Sequence, residues 1–315
     1  MSGRHPIRVG RRTFEVSNLQ KVLFPDDGIT KGELIEYYTR VAEPMLPHVT
    51  QRPAAMERYP DGIRGPRIFH KDVPDHFPDW IERVRVRKAG GSLHQVVCSE
   101  AATLAYLANQ ACITPHVFLS RIDRIDEPDQ MIFDLDPPGE GFDDARRVAL
   151  SLRSLLDELA LPSFVKTTGG KGLHVMIPLD RSAGFDEVRA FARDVADVLI
   201  ERAPDNLTRE PRKERRRGRL FLDVMRNAYA QTVAPAYAVR ARPTAPVAMP
   251  LDWNEVEDRS LRPSRFTMST IGARLERDGD PWRGFRRRSR SLRSARGRLD
   301  RLRREDADMP RRAVR

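Results

Sequence analysis

The chain of 315 residues contains only two cysteines, Cys98 and Cys112, and both lie in largely apolar sequence. Without further ligands at metal-binding spacing they exclude a cysteine-based zinc site, and we interpret them as reduced, buried thiols. Long hydrophobic runs are also absent, because no stretch approaches the roughly 18 apolar residues of a transmembrane helix. The N-terminus, residues 1–8, lacks the apolar segment of a secretory signal. We therefore expect a cytoplasmic protein with no membrane partner.

Acidic residues are in the minority, since 56 Lys and Arg against 45 Asp and Glu give a net charge of +11. Most of the excess lies in residues 283–315, which hold 14 arginines against four carboxylates. We therefore separate a main domain, residues 1–282, from a basic Arg-rich C-terminal tail, residues 283–315. Such a tail either binds polyanions non-specifically or is a solvated end. A second basic cluster, residues 209–219, carries a net charge of +5. It either binds phosphate oxygens or is a solvated surface loop of mixed charge.

The most informative stretch is residues 131–138, Met-Ile-Phe-Asp-Leu-Asp-Pro-Pro. Side chains alternate along a strand, so Asp134 and Asp136 face one side, while Phe133 and Leu135 face the other. Two neighbouring carboxylates repel, and a divalent cation between them removes the repulsion. The two prolines that follow end the strand, which places both acids at its edge. The alternative is an exposed edge strand whose polar face is hydrated.

Two further segments have the residue types for binding phosphate and metal. In Thr167 to His174 the glycines allow a ligand close to the backbone, successive N–H groups can form an anion-binding nest, and Lys171 supplies a charge. A plain hairpin turn explains these glycines about as well. Asp223 lies in an otherwise apolar strand, where an unpaired carboxylate is costly, so it needs a cation or hydrogen-bond donors. A buried salt bridge to an arginine is its alternative.

The pattern of elements favours an α+β fold. Thr30 and Glu33 fit a capping box that opens a helix through about Glu43. A second helix is predicted from Ser99 through Cys112, and two amphipathic helices at 143–160 and 185–202. Strands are predicted on both sides of the glycine loop, at 219–225 and at 232–240, and a helix around 267–277. Because strict βαβ order is missing, we predict mixed or antiparallel central sheets flanked by helices.

The three carboxylates Asp134, Asp136 and Asp223, together with the Gly-Lys loop, are the residue types that nucleotidyl transfer requires. They can hold two divalent ions about 3.5–4 Å apart, one activating a 3′-hydroxyl and the other neutralising the leaving group. Phosphoryl chemistry of this kind needs no nucleophilic side chain. The Phe-Asp-Leu-Asp string is also similar to the haloacid-dehalogenase phosphatases. That family expects Gly-Thr or Gly-Val after the second Asp, where this chain has Pro137 and Pro138.

Short motifs in a fixed order make the assignment more specific. Besides the Asp, Gly-Lys and Phe-Leu-Asp segments, they are Ser17-Asn18 with Lys21, Thr30-Lys31, Arg52-Pro53, Phe69 to Lys71, Pro78 to Ile81, Thr114 to His116 and Val233 to Arg240. Together they cover roughly residues 14–280 and resemble the polymerase domain of bacterial ligase D. That domain belongs to the archaeo-eukaryotic primase superfamily, so the resemblance implies a primase-polymerase type fold.

The resemblance also implies roles for individual residues. The catalytic and metal-binding carboxylates would be Asp134, Asp136 and Asp223. The nucleotide-binding residues would be Thr168, Gly170, Lys171, His174, His116, Arg216 and Arg240. The pocket for a downstream DNA 5′-phosphate would be Asn18, Lys21 and Lys31. Phe69 would contact a base or the template. These residue types suit the roles, since amides and lysines bind phosphate and an aromatic ring stacks on bases.

By the same resemblance, the chain would be a template-directed DNA/RNA nucleotidyltransferase. It would extend primers at gaps or double-strand-break ends in non-homologous end joining, using two Mn²⁺ or Mg²⁺ ions and NTPs or dNTPs, with ribonucleotides accepted. The implied partners are DNA with a 5′-phosphate, Ku and a separate DNA ligase, in a bacterial cytoplasm near the nucleoid. De novo priming and non-catalytic bridging of DNA ends are the two alternatives.

The chain departs from the family pattern at three positions. Ligase D polymerase domains often carry Lys where Glu57 stands, an aromatic residue at Ile68 and a polar amide at Arg226. The reversed charge at Glu57 bears on sugar preference and triphosphate affinity. No ligase or nuclease segment is present in the 315 residues, so we expect a stand-alone relative whose sealing partners act in trans.

Overall fold

The computed structural model describes residues 3–139 and 141–308. In chain order the strands are β1 (Arg4–Val9), β2 (Arg12–Ser17), β3 (Val22–Phe24), β4 (Ile29–Thr30), β5 (Pro53–Arg58), β6 (Ile68–His70), β7 (Arg83–Lys88), β8 (Gly91–Val97), β9 (Cys112–Phe118), β10 (Ser120–Arg121), β11 (Arg124–Pro128), β12 (Gln130–Asp136), β13 (Phe164–Thr167), β14 (Leu173–Pro178), β15 (Leu207–Thr208), β16 (Leu220–Asp223), β17 (Thr232–Val233) and β18 (Pro250–Leu251). The α-helices are α1 (Lys31–Arg40), α2 (Ala42–Val49), α3 (Ala101–Asn109), α4 (Phe142–Glu158), α5 (Phe185–Arg202), α6 (Trp253–Glu257), α7 (Ile271–Asp278) and α8 (Leu292–Asp308).

Two six-stranded sheets form the framework of the described residues. Sheet A has the strand order β15-β16-β12-β14-β13-β18, and only its β15–β16 pair is parallel. Sheet B has the order β17-β9-β5-β8-β7, and β6 pairs with β5. Helices α4 and α5 pack against β12 through their apolar stripes. The predicted α+β class with mixed and antiparallel sheets is therefore confirmed.

The predicted helices match the structure where local signals were strong. Thr30 caps α1 with the predicted capping box: its hydroxyl accepts from the backbone of Glu33, whose carboxylate accepts from the backbone of Thr30. Helices α4 and α5 lie within two residues of their predicted bounds. The helix predicted from Ser99 through Cys112 is shorter, because α3 ends at Asn109 and Cys112 begins β9. In residues 3–139 and 141–308 no helix is long and apolar enough to cross a membrane.

The Arg-rich C-terminal segment packs on the preceding domain as far as the structure describes it. Trp282 and Phe285 stack on each other at 5.3 Å and pack against Phe164 of β13. Leu292 and Leu299 of α8 are buried, and α8 lies against α5. Phe285, Leu292 and Leu299 thus join the hydrophobic core formed by earlier residues, and residues 309–315 lie outside the described residues.

Candidate active site

A row of polar side chains crosses sheet A from strand to strand. Asp223 of β16 lies opposite Asp134 of β12, Asp134 opposite His174 of β14, and His174 opposite Lys166 of β13. Residues directly opposite one another in a sheet project from the same face, so these four side chains form one line. Asp136 follows two residues along β12 and shares that face. The predicted pairing of Asp134 with Asp136 on one strand face is present, and Asp223 joins it from the neighbouring strand.

The two central carboxylates have opposite pKa shifts. Burial acts to raise the pKa of Asp134. The opposing effect is larger, because His174 Nε2 lies 3.4 Å from Oδ1 of Asp134 and further positive charges are near, so the pKa lies below its usual range. Burial lowers the pKa of His174 to about 4, so the ring is neutral at pH 7. The pKa of Asp223 is raised by burial and by the charge of Asp134. A cation between Asp134 and Asp223 would reverse that rise.

Lys166 is a residue that the sequence analysis missed. Its side chain is fully buried, and its Nζ has no hydrogen-bond partner among residues 3–139 and 141–308. The neighbouring Nδ1 of His174 lacks a partner in the same part of the chain. Burial, together with the charge of Arg240, lowers the pKa of Lys166 to about 7. A lysine directly after Phe164-Val165 in a predicted strand was the available signal, because buried lysines are rare without a function or a partner.

The glycine loop packs tightly against β12 and Arg240. A Cβ on Gly172 would lie 2.1 Å from the carbonyl oxygen of Leu135, and a Cβ on Gly169 would lie 2.4 Å from Cγ of Arg240. The hydroxyl of Thr168 accepts hydrogen bonds from the backbone N–H groups of Gly170 and Gly172 at 3.2 and 3.3 Å. These two N–H groups are therefore not free to form the predicted anion-binding nest.

A buried Glu–His pair lies beside this loop. His116 Nε2 lies 2.7 Å from Oε2 of Glu57, and burial lowers the pKa of His116. Burial acts to raise the pKa of Glu57, yet the hydrogen bond from His116 and the charge of Arg240 lower it to about 2. At pH 7 we therefore assign a neutral His116 that donates its Nε2 proton to the Glu57 carboxylate. The ring of Phe69 packs edge-on against His116 at 5.3 Å.

One cleft of about 750 Å³ collects the predicted catalytic and nucleotide-binding residues. Its lining includes Asp134, Asp136, Asp223, Thr168, Gly170, Lys171, His174, His116, Arg216 and Arg240. It also includes three cations that the sequence analysis did not assign to the nucleotide site: Lys213, Arg226 and Arg242. Positive charge therefore surrounds the carboxylates, an arrangement that suits a polyphosphate.

The carboxylates are paired with arginines. Arg216 Nη1 lies 2.9 Å from Oδ2 of Asp136, and Arg226 Nε lies 3.9 Å from Asp134 and 3.8 Å from Asp223. Across the described ranges, no three His, Cys, Asp or Glu side chains stand close enough to form a ready metal site. Asp134 and Asp223 nevertheless fit a hard divalent ion, because they are directly opposed oxygen donors and the pKa of Asp223 is raised.

The three residues predicted to bind a 5′-phosphate lie together, outside the cleft lining. The backbone N–H of Lys21 donates to the carbonyl of Asn18 at 3.0 Å, and that of Lys31 donates to the carbonyl of Lys21 at 2.8 Å. Each lysine side chain has a protein partner: Lys21 contacts Asp61 at 3.1 Å, and Lys31 donates to the side chain of Asn109 at 3.0 Å. Burial and the charge of Lys21 lower the pKa of Lys31.

Comparison with known proteins agrees with this geometry. The sequence profile described as LigD, primase-polymerase domain, matches residues 30–282. The chain is 34% identical over 277 residues to the multifunctional non-homologous end joining DNA repair protein LigD of Mycobacterium tuberculosis, covering 84% of this chain and 36% of that protein. It is 32% identical over 275 residues to the bifunctional non-homologous end joining protein LigD of Bacillus subtilis, covering 87% and 44%.

The fold agrees as well. The solved polymerase domain from Mycobacterium tuberculosis ligase D, in complex with DNA, superposes with a TM-score of 0.82 at 32% identity, covering 87% of this chain and 98% of that one. The chain spans just over a third of the length of the mycobacterial relatives. The sequence profile, the relatives and the shared fold all show that this chain belongs to the LigD primase-polymerase domain family.

Proposed function

We propose that this chain is a metal-dependent, template-directed nucleotidyltransferase that extends primers at DNA gaps or broken ends. The observation that carries the proposal is one cleft in which Asp134 and Asp223 are paired across two strands and surrounded by lysines and arginines. Phosphoryl transfer requires metal ligands and charge stabilisation, and no nucleophilic side chain. Both cysteines are buried away from such a role.

The proposed cofactor is a pair of Mn²⁺ or Mg²⁺ ions with Asp134, Asp136 and Asp223 as ligands. When bound, such ions activate the attacking 3′-hydroxyl and neutralise the leaving pyrophosphate. Oxygen donors suit both metals. His174 would orient the carboxylate of Asp134 through the contact of its Nε2 with Oδ1. Arg226, whose side chain is 44% exposed, has room to leave the carboxylates for solvent.

The cations of the cleft are the proposed site of the incoming NTP or dNTP. The proposed nucleotide contacts are Thr168, Gly170, Lys171, His174, His116, Arg216 and Arg240. Arg240 is held by its packing on Gly169, which leaves no space for a Cβ. A guanidinium positioned before the substrate arrives binds a phosphate at lower entropic cost. We propose that ribonucleotides are accepted.

DNA with a downstream 5′-phosphate is the proposed polymer substrate. The solved relative was found in complex with DNA. Asn18, Lys21 and Lys31 would bind the phosphate, because two lysine charges held close to each other are relieved by an anion. Phe69 would contact a base from its place beside His116. Since the relatives are non-homologous end joining proteins, Ku and a separate ligase are the proposed partners.

The deciding experiment is nucleotide incorporation on a gapped duplex, with NTPs or dNTPs and with Mn²⁺ or Mg²⁺, for the wild type and Asp134→Ala. We expect a loss of at least a hundredfold in the variant, because one of two directly opposed metal ligands is removed. Incorporation that survives Asp134→Ala would refute the metal assignment. Incorporation without any primer strand would favour de novo priming, and DNA binding without incorporation would favour a non-catalytic bridge.

The 5′-phosphate pocket is tested with the same gapped duplex, with and without that phosphate. We expect the wild type to prefer the phosphorylated gap and Lys21→Ala to lose most of the preference. Lys88→Ala, which removes an exposed lysine at the end of β7, is the matched control and should keep it. A wild type indifferent to the phosphate would refute the roles of Lys21 and Lys31.

A further inference from the structure

Six exposed arginines lie in the eleven residues that follow the part of the chain matched by the family profile. They are Arg283, Arg286, Arg287, Arg288, Arg290 and Arg293, and we call them the arginine platform. In the described part of the chain none of the six forms an ion pair with a carboxylate. Later arginines of α8 differ, because Arg296 and Arg303 both contact Asp194 of α5. The later arginines attach the helix, whereas the six platform arginines have no carboxylate within ion-pair distance in the described ranges.

The platform is held in a fixed position by the packing beneath it. Trp282 and Phe285 are buried and stacked, and Nε1 of Trp282 donates to the carbonyl of Val165 at 3.0 Å. The backbone N–H of Arg290 donates to the carbonyl of Pro178 at 3.1 Å, and its carbonyl accepts from Asp180 at 3.2 Å. Side chains on a backbone anchored at both ends lose less entropy on binding than those of a free tail.

The protein interior below adds to this charge. Arg52 and Arg121 are fully buried and share one carboxylate, that of Asp129, at 2.6 and 2.7 Å. Two guanidinium groups and one carboxylate leave a net positive charge inside the domain. The pKa of Arg286 is lowered by partial burial and then by the charge of Arg121. Positive charge therefore lies both at the platform and beneath it, and a bound anion would reduce the repulsion between these charges.

The platform and the cleft lie toward opposite ends of the same strands. The platform contacts sheet A at Phe164 and at Pro178–Leu179, whereas the cleft is lined by His174 at the start of β14. Five residues of extended chain separate His174 from Leu179, which is about 17 Å. Each base pair advances about 3.4 Å, so this span corresponds to about five base pairs of duplex.

We propose that the arginine platform binds the sugar–phosphate backbone of duplex DNA about five base pairs from the reacting end. This inference rests on the proposed function, because it takes the cleft as the position of that end. The six arginines have no exposed large apolar side chain among them, since those found in the described ranges are Val22 and Met225. Base stacking and insertion into a membrane both need such groups. Guanidinium groups alone suit phosphates, without regard to sequence.

The test compares two double variants with the same loss of charge. Arg286→Gln with Arg287→Gln removes two platform charges. Arg8→Gln with Arg11→Gln removes two exposed charges beside the turn between β1 and β2, which form no ion pair in the described ranges. Dissociation constants are measured by fluorescence anisotropy over a range of salt concentrations. The DNA is a duplex of 20 base pairs or a hairpin whose stem of four base pairs is too short to reach the platform.

For the long duplex we expect the platform variant to bind on the order of tenfold more weakly, and its slope of log K against log salt to fall by about 2. The short hairpin and the control variant should show neither effect, and melting temperatures should agree. Incorporation at saturating DNA should equal that of the wild type, so failure of the platform is distinguishable from failure of the proposed polymerase function.

An equal loss in the control variant, or on the short hairpin, would overturn the proposal. So would a loss of binding to phosphatidylserine vesicles without a loss on DNA.

Discussion

Nε of Arg226 lies 3.8 Å from Oδ2 of Asp223, and the same nitrogen lies 3.9 Å from Oδ2 of Asp134. One guanidinium thus faces both carboxylates of the directly opposed pair, where the proposed metal would bind. Burial raises the pKa of Asp223, so a nearby positive charge stabilises its ionised carboxylate. Arg226 and the proposed divalent ion would therefore compete for the same oxygens.

We expect Arg226→Gln to bind Mn²⁺ more tightly than the wild type, on the order of tenfold, because a competing charge about 4 Å from the ligands is removed. Free Mn²⁺ is measured by electron paramagnetic resonance in the absence of nucleotide. Arg242→Gln is the control, since it removes a cation from the same cleft without a carboxylate contact in the described ranges. Equal affinities in Arg226→Gln and the wild type would show that Arg226 does not compete with the metal.

Two variants of the Glu57–His116 pair should change KM and kcat independently. Glu57→Gln keeps an acceptor for the Nε2 proton of His116 but removes a negative charge near the proposed triphosphate site, so we expect KM for the nucleotide to fall several-fold. Glu57→Ala also removes the 2.7 Å hydrogen bond that orients His116, so we expect kcat to fall about tenfold. Steady-state kinetics with NTPs and dNTPs measures both constants. Parallel changes in the two variants would contradict an orienting role.

The fold could be predicted where the signal is local. Residue order alone identifies the capping box at Thr30, the two amphipathic helices and the strands on both sides of the glycine loop. The strand predicted at 232–240 is wrong beyond Val233, because Pro235 interrupts hydrogen bonding and Tyr237 has a positive φ of 67°. Arg240 consequently enters the cleft from irregular backbone rather than from a strand.

The candidate site was predictable for residues in recognisable motifs, and all ten predicted catalytic and nucleotide residues line one cleft. The partners of those residues were not predictable. Lys166 stands beside His174, and Arg226 beside Asp223, because of strand register and a short helical turn after β16. Register depends on long-range pairing, which a single sequence does not specify.

Lys166→Met should stabilise the protein in a pH-dependent way. The folded state holds the pKa of Lys166 near 7, below its ordinary 10.5, so the unfolded chain binds more protons between these values. The cost of burying the charged lysine is therefore complete below about pH 7 and disappears as the pH approaches 10.5. We expect a gain in unfolding free energy on the order of 2–4 kcal/mol at pH 7. Urea unfolding at pH 7 and pH 10 measures it, and an equal gain at both would contradict the burial of a charged amine.

Gly172→Ala should lower both stability and incorporation. Its Cβ would lie 2.1 Å from the carbonyl oxygen of Leu135, so the backbone between Asp134 and Asp136 has to shift, at a cost of about 2–3 kcal/mol. Displaced carboxylates should reduce incorporation at least tenfold, because metal ligands tolerate errors of only about 0.2 Å. Gly297→Ala in α8 is the control: a Cβ there meets nothing within 4 Å, and it should be neutral or stabilise the helix by up to about 1 kcal/mol. Chemical denaturation and Mn²⁺ affinity separate the two effects, and a Gly172→Ala protein with wild-type metal affinity would show that the loop does not position Asp134 and Asp136.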